Sequence, residues 1–466
     1  MEEKISAAKE RKEALFARHK HGAYRMSAEE KAAAQDFAKE YTAFLNASKT
    51  EREACMEAEK LLKENGFVPF VPGMELKAGD KVYRNNRGKA MLAAVIGTEP
   101  ITEGVRICAA HIDSPRLDLK QNPLYEDHEL ALFKTHYYGG IKKYQWGAIP
   151  LSLHGVVVKA DGTSVQVSIG EDEGDPVFCV TDLLPHLATE QMKRPAGAII
   201  RGEELNLLIG SMPFNEDEES ESVKLNILHI LNEKYGMTES DFLSAELEIV
   251  PAFRACDVGL DRSMIGGYGH DDRVCAYPAL RALVDCKTPA HTAVVVLADK
   301  EETGSDGNTG LCSSYLRYFI CDLAECFGAK GRHVLSASQC LSADVNAAFD
   351  PTFPDVMEQK NCAFLNHGVC VTKFTGARGK SGTSDASAEF VGVVRRLLDE
   401  KKVIWQTGEL GKVDAGGGGT VAAYIANLDV DTIDVGVPVL CMHAPFEIVS
   451  KLDVYMTYRA FSAFVE

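Results

Sequence analysis

At 466 residues the chain is longer than one ordinary hydrophobic core supports, so two domains are expected. Its 45% hydrophobic and 25% charged content is that of a water-soluble globular protein. A formal net charge of −18, with no basic tract to offset it, argues against nucleic acid and anionic membranes as partners.

The opening residues Met1-Glu-Glu-Lys-Ile-Ser6 are charged and lack the apolar centre of a signal peptide. Up to about residue 65 the pattern is helical. Ser27-Ala-Glu-Glu30 and Thr50-Glu-Arg-Glu53 both fit the capping box, and the second helix ends near Gly66. Extended segments follow at Lys81-Val-Tyr83 and Met91–Ile96, joined by the turn Asn85-Asn-Arg-Gly88. Val105–Ile112 reads as a buried strand.

From about residue 120 to 250 the character changes. Leu151–Val158 and Ser164–Ile169 read as strands set off by Asp-Gly and Glu-Asp-Glu-Gly turns, and the polar stretch Asn215–Ser222 as a surface loop. After Val250 the α/β pattern returns and continues to the end. The expected organisation is a discontinuous α/β domain, residues 1–118 and 251–466, with a strand-rich domain, residues 119–250, inserted in it. No stretch approaches the ~20 apolar residues of a membrane span. The 13 cysteines are odd in number, scattered and never spaced Cys-x-x-Cys. Reduced thiols in the cytoplasm are the simplest reading.

Five places carry chemistry. His111 and Asp113 lie in Ala109-Ala-His-Ile-Asp-Ser-Pro115 at the end of the strand from Val105. A spacing of two puts both side chains on one face, and a metal-bound imidazole usually has its second nitrogen held by a carboxylate or carbonyl. Alone, His-x-Asp is most simply structural. Asp271 and Asp272 precede the helical Val274–Val284, where acids satisfy a helix start. That account suffices for Asp272. Glu301 and Glu302 end the β-branched run Thr292–Asp299, at the strand's carboxyl end where open α/β sheets place ligands. Two acids there can divide labour, one binding a metal and one moving a proton. Asp344 in Leu341-Ser-Ala-Asp-Val345 could be a helix cap. His443 in Val439-Leu-Cys-Met-His-Ala-Pro445 lies between a strand, Asp431–Val439, and a helix opening at Ser450-Lys-Leu-Asp453.

Each residue alone has a bland explanation. Together His111, Asp271, Glu302, Asp344 and His443 suit two divalent ions about 3.5–4 Å apart sharing a bridging carboxylate. Imidazole and carboxylate ligands fit zinc, with cobalt and manganese as alternatives.

The stretches Ala-His-Ile-Asp-Ser-Pro, His-Asp-Asp-Arg, Asp-Lys-Glu-Glu-Thr-Gly-Ser, Ser-Ala-Asp-Val and Ile-Asp-Val-Gly-Val-Pro-Val-Leu-Cys-Met-His run from 109 to 443. In that order they resemble the aspartyl aminopeptidase and vacuolar aminopeptidase I family of dinuclear zinc peptidases. The resemblance implies a mixed-sheet α/β peptidase domain with helices on both faces and an inserted β-rich dimerisation domain. It implies that Asp271 bridges two zinc ions, with His111 and Asp344 completing one site and Glu302 and His443 the other. Glu301 would be the general base and Asp113 the carboxylate behind His111. Peptides with a free N-terminus would be the substrates, and self-association into a homo-oligomer, up to a tetrahedral dodecamer, the assembly.

Two positions depart from the family. Where the acidic-substrate branch has a histidine in a His-Pro-Asn stretch, this chain has Asp350 in Phe349-Asp-Pro-Thr352. An acid there disfavours an acidic substrate side chain. Some relatives use a histidine from a neighbouring subunit's inserted domain; His186 lies in that region, but Glu190 follows where that histidine is looked for.

Other features mislead. Gly376-Ala-Arg-Gly-Lys-Ser-Gly382 fails as a phosphate loop because Phe374 occupies the required glycine position. Lys373, Arg378 and Lys380 are either a solvated basic loop or positive charge near a peptide carboxylate. Gly416–Gly419 has neither a following lysine nor dinucleotide spacing, leaving a flexible turn or a close approach of substrate to backbone. Tyr137, Tyr138, Tyr144 and Trp146 read as interface or core aromatics. Besides a metalloaminopeptidase, a non-catalytic shell protein with structural metals and a related deacylase or carboxypeptidase are the alternatives. A structural site needs no unliganded base, and Glu301 beside Glu302 speaks against the first of these.

Overall fold

The computed structural model describes residues 7–17, 20–215 and 220–466. Three sheets organise the chain, and a nine-stranded mixed sheet is the largest. Its order is Val68–Pro69, Lys81–Asn86, Ala90–Val95, Ala293–Ala298, Arg106–His111, Gln339–Ser342, Asp431–Gly436, Val369–Thr372 and Trp405–Thr407. Ala293–Ala298, Arg106–His111, Gln339–Ser342 and Asp431–Gly436 are mutually parallel, so their carboxyl ends share one edge.

The two-residue period of a strand divides the core between the two faces of this sheet. Ala293, Val295 and Leu297 join one cluster, with Tyr41, Leu283 and Phe461 of the helices Ala28–Ala47, His270–Asp285 and Lys451–Val465. Val294, Val296 and Ala298 join the other, with Phe319 and Val334 of Tyr315–Cys326 and Gly331–Ser336. Both predicted capping boxes form, Ser27 with Glu30 and Thr50 with Glu53, and the second helix runs Glu51–Glu64. The hairpin Lys81–Asn86 and Ala90–Val95 turns through Arg87 and Gly88, both left-handed at φ 62° and 70°.

A seven-stranded sheet, antiparallel throughout, uses strands between Arg116 and Pro251 and closes its own core around Trp146, Leu153, Leu207 and Ile249. This stretch also holds a helix, Ser222–Tyr235, that the strand-rich reading did not anticipate. Val223, Ile227, Leu231 and Tyr235 recur every four residues, which is the helical signal; Val223 is buried, and the other three pack with the core of that sheet. The expected Asn215–Ser222 loop therefore ends where the helix starts, and its residues 216–219, like Met1–Ser6, lie outside the described residues.

A five-stranded sheet (Cys256–Val258, Met264–Gly267, Glu447–Ser450, Pro438–Leu440, Asn346–Ala347) corrects a second expectation. The predicted strand Asp431–Val439 is two strands. Asp431–Gly436 stays in the large sheet, while Pro438–Leu440 pairs with Asn346–Ala347 and Glu447–Ser450. Pro438 interrupts the run because its ring removes a ladder donor. Ser450 caps the last helix through Leu452 and Asp453, but the Asp453 carboxylate accepts the N–H groups of Asn366 and Gly368 instead of closing a capping box. All thirteen cysteines are free. Among the described residues no helix is long and apolar enough to cross a membrane.

Candidate metal centre

The parallel strands deliver three of the predicted groups to one edge. His111 is the last residue of Arg106–His111, in register with Ala298 of the adjacent strand. Three residues after Ala298, Glu301 and Glu302 form a single 3₁₀ turn that starts from a left-handed Lys300. Asp344 lies two residues past Gln339–Ser342. Asp271 sits in the first turn of His270–Asp285, where Asp271 and Asp272 leave helical dihedrals. His443, at φ 64°, comes from the loop between Pro438–Leu440 and Glu447–Ser450.

The side chains converge. His111 Nε2 lies 3.1 Å from Asp271 Oδ1, 3.9 Å from Glu301 Oε2 and 4.0 Å from Asp344 Oδ1. His443 Nε2 lies 3.2 Å from Asp271 Oδ2 and 3.5 Å from Glu302 Oε1. Asp271 thus turns one oxygen to each imidazole. Three groups have ligand atoms within 4.8 Å of one another: His111, Asp271 and Asp344; Asp271, Glu302 and His443; and His111, Glu301 and Glu302. His111, Asp271, Glu302 and Asp344 are buried to within 8% exposure, whereas His443 is 36% exposed, so the cluster opens on the His443 side.

The electrostatics fit cations. Four carboxylates surround two imidazoles, and burial, reinforced by neighbouring acids, pushes Glu302 and Asp344 well above the ordinary carboxylate range. Burial, opposed by His111 and reinforced by Asp271, raises Glu301 to about 7. Burial would raise Asp271 too, but hydrogen bonds with His111 and His443 outweigh it and hold that carboxyl far down. Glu302 Oε1 is buried with no hydrogen-bond partner, a costly arrangement unless something cationic faces it. The donor set of imidazole nitrogens and carboxylate oxygens is that of zinc and neighbouring divalent metals.

A surrounding layer holds these groups. His111 Nδ1 faces the Asp113 carbonyl at 3.0 Å, which leaves Nε2 toward Asp271. The Asp113 carboxylate accepts the N–H groups of Glu301 at 3.1 Å and Glu302 at 3.2 Å. It also accepts the Tyr138 hydroxyl at 2.7 Å, so Tyr138 is more than the core or interface aromatic expected. Tyr137 and Tyr144 are exposed and Trp146 is a buried core ring. Asp272, expected only to serve the helix start, accepts the His111 N–H at 3.3 Å, and Ser114 Oγ donates to the Asp271 carbonyl at 2.6 Å.

Glu447 was missed by sequence reasoning. It is 2% exposed and accepts the N–H of His443 at 2.9 Å and of Asp271 at 3.2 Å. The available signal was an acid four residues after His443 at the start of an apolar strand.

Other singled-out residues lie elsewhere. Asp350 Oδ1 accepts the Thr352 N–H, and after burial its charge is the main influence raising the Cys441 thiol, two residues before His443. His186 is exposed. Lys373 and Lys380 both bind Asp385, while Arg378 is exposed.

A family model described as Aminopeptidase I zinc metalloprotease (M18) matches residues 44–465. A curated relative from Clostridium acetobutylicum, named probable M18 family aminopeptidase 1, is 52% identical over 430 residues, covering 91% of this chain and 92% of its own. The crystal structure of an M18 family aminopeptidase from Thermotoga maritima superposes with a TM-score of 0.92 at 46% identity, over 97% of this chain and 100% of that one. The mApe1 dodecamer of S. cerevisiae shares the fold at a TM-score of 0.75 and 19% identity, over 92% of this chain and 96% of that one.

Proposed function

The chain belongs to the M18 family of zinc metalloproteases and is an aminopeptidase; on that premise we propose that it works through two divalent ions, with Glu301 as general base. His111, Asp271 and Asp344 would hold one ion, and Asp271, Glu302 and His443 the other. The observation that carries this reading is the Asp271 carboxylate, with one oxygen toward each imidazole. Zinc is the first expectation, with cobalt or manganese able to use the same donors.

The metals, when bound, supply Lewis acidity to the scissile carbonyl and lower the pKa of the attacking water. The protein's own residues do the rest. Glu301 belongs to neither of the two proposed ion-holding sets, and its Oε2 lies 3.9 Å from His111 Nε2. Burial, reinforced by Asp271 and Asp113, favours the protonated form of its carboxyl, which suits a group that takes up a proton during the reaction. It takes that proton from water and passes it to the departing amine. Asp113 fixes the Glu301–Glu302 turn and, through its carbonyl, the orientation of His111. The acidic surroundings receive the substrate's free α-amine, restricting cleavage to N-terminal residues.

The unit built on the seven-stranded sheet, expected as residues 119–250 with its outer strands reaching Arg116 and Pro251, is proposed as an inserted dimerisation domain of a homo-oligomer of up to the dodecamer seen in the yeast neighbour. Val177, Leu183, Leu184, Leu187, Met192 and Met212 on that unit are all at least half exposed, apolar side chains that contact with another subunit would bury. The free cysteines suit a reducing cytoplasm.

The test is turnover of aminoacyl fluorogenic substrates by metal-stripped protein reloaded with zinc, cobalt or manganese. Activity that returns with metal and is confined to substrates with a free N-terminus supports the reading. Full activity in metal-free protein would overturn it.

A further inference from the structure

We infer that Tyr138-Gly139-Gly140, at the end of the strand Leu130–Tyr138, is a positioning segment for the metal centre, so that the seven-stranded unit is part of the active site. The inference rests on the metal-centre reading above.

Three adjacent residues of this segment meet three different parts of the cluster. The Tyr138 hydroxyl donates to Asp113 Oδ2 at 2.7 Å. Asp113 also receives the N–H groups of Glu301 and Glu302, so a single buried carboxylate ties the proposed base and a proposed ligand to a strand of the other sheet. The Gly140 carbonyl lies 2.8 Å from His443 Nδ1. With the Nδ1 hydrogen on that carbonyl, the Nε2 lone pair is left for the side where Asp271 and Glu302 stand. Between them, Gly139 is left-handed at φ 73°, and a Cβ there would sit 3.2 Å from Glu302 Oε2 and 3.3 Å from Glu302 Cβ. A Cβ on Gly140 would lie 3.3 Å from His443 Nδ1. The two glycines let the backbone lie against Glu302 and His443, where a Cβ would push those side chains aside by a few tenths of an ångström.

The Tyr138 ring is itself held. The Arg116 guanidinium lies 4.0 Å from the ring centroid. Arg116 is gripped by Glu51 of the helix Glu51–Glu64 at 3.2 Å, Asp118 at 2.8 Å and Glu248 at 3.2 Å. Asp118 and Glu248 belong to the seven-stranded sheet and Glu51 does not, so the ring is clamped where the two parts of the chain meet. A hydroxyl on so restrained a ring holds Asp113 in one place.

Tyr138→Phe keeps the ring against Arg116 and removes only the hydroxyl. In the full-length chain, zinc affinity is measured by competition with a chelator, alongside kcat and KM. The expected result is zinc binding weaker by up to about 10-fold, the lower end of the effect of losing a ligand's outer partner because Tyr138 acts through Asp113, with kcat reduced and KM unchanged. Wild-type affinity together with wild-type kcat would overturn the inference. Should that variant fail to fold, Gly140→Ala decides: loss of one zinc equivalent, from the side His443 serves, supports the inference, and two equivalents at wild-type affinity overturn it. A wild-type chain that takes up no zinc would overturn the metal-centre reading as well, whereas two ions bound equally, with equal kcat, by wild type and Tyr138→Phe would overturn only the positioning role.

Discussion

His443 gives its backbone N–H to the Glu447 carboxylate at 2.9 Å, and the other oxygen of that carboxylate takes the N–H of Asp271 at 3.2 Å. One buried side chain thus ties together two proposed ligands from distant parts of the sequence. Glu447→Ala leaves the buried Asp271 N–H without its acceptor, at about 1–3 kcal/mol, and the part-buried His443 N–H without its own at a smaller cost. Glu447→Gln turns an amide donor toward one of them. Both variants are expected to melt earlier and to bind metal more weakly. Full metal content with a wild-type melting temperature in Glu447→Gln would remove the residue from this role.

Glu301→Gln tests the base. The amide keeps the shape of the carboxyl but accepts no proton, and losing a general base costs on the order of 10²–10⁴-fold in rate. Metal content and folding should be unchanged. Turnover near the wild-type rate would assign the proton transfer elsewhere.

Asp271→Ala tests the shared carboxylate. One side chain faces both imidazoles, so its loss should lower occupancy of both ions together. Elemental analysis that finds two full equivalents in the variant would remove Asp271 from the centre.

A pH-dependent contact joins the two parts of the chain at His154. Its Nδ1 lies 2.7 Å from Glu53 Oε1, and Nε2 lies 3.3 Å from Glu171 Oε1. Glu53 uses its second oxygen to cap its own helix. Burial would lower the imidazole, but the hydrogen bonds it donates to Glu171 and Glu53 outweigh it and raise it from 6.5 to about 9. A raised histidine contributes stability that is complete below its unfolded value, here about 6.5, and lost as pH rises through about 9. The loss is on the order of 3 kcal/mol. Melting temperatures between pH 6 and pH 9.5 should fall more steeply for wild type than for His154→Gln. Parallel curves would show that the pair does not titrate in this range.

Asp350 sets an expectation for specificity. Near a substrate side chain its charge repels Asp or Glu by about 1 kcal/mol at ~4 Å in water, and more in a drier pocket. Lys373 and Lys380 are already bound to Asp385, which weakens their claim to offset it. Neutral or basic N-terminal residues should therefore be cleaved faster than acidic ones. Faster release of Asp or Glu than of Leu or Lys would reverse the assignment.

The sequence by itself determined the elements whose cause is local. The Ser27 and Thr50 helix starts form because each side chain reaches a backbone N–H three residues away. The buried strand before Glu301 follows from a β-branched run, and its carboxyl-end position made the two glutamates conspicuous. Tertiary structure decided what distance in sequence conceals. Residues 111, 271, 302, 344 and 443 meet because parallel strands end at one edge while a second sheet turns His443 back toward it. The break before Pro438 depends on which sheet offers a partner, a choice no local pattern encodes. The roles of Glu447, Tyr138 and Gly140 lay beyond local pattern for a related reason, the acid after His443 marking Glu447 only by position. A buried carboxylate, a phenol and a carbonyl acquire their roles only from the hydrogen-bond donors and acceptors that folding brings against them.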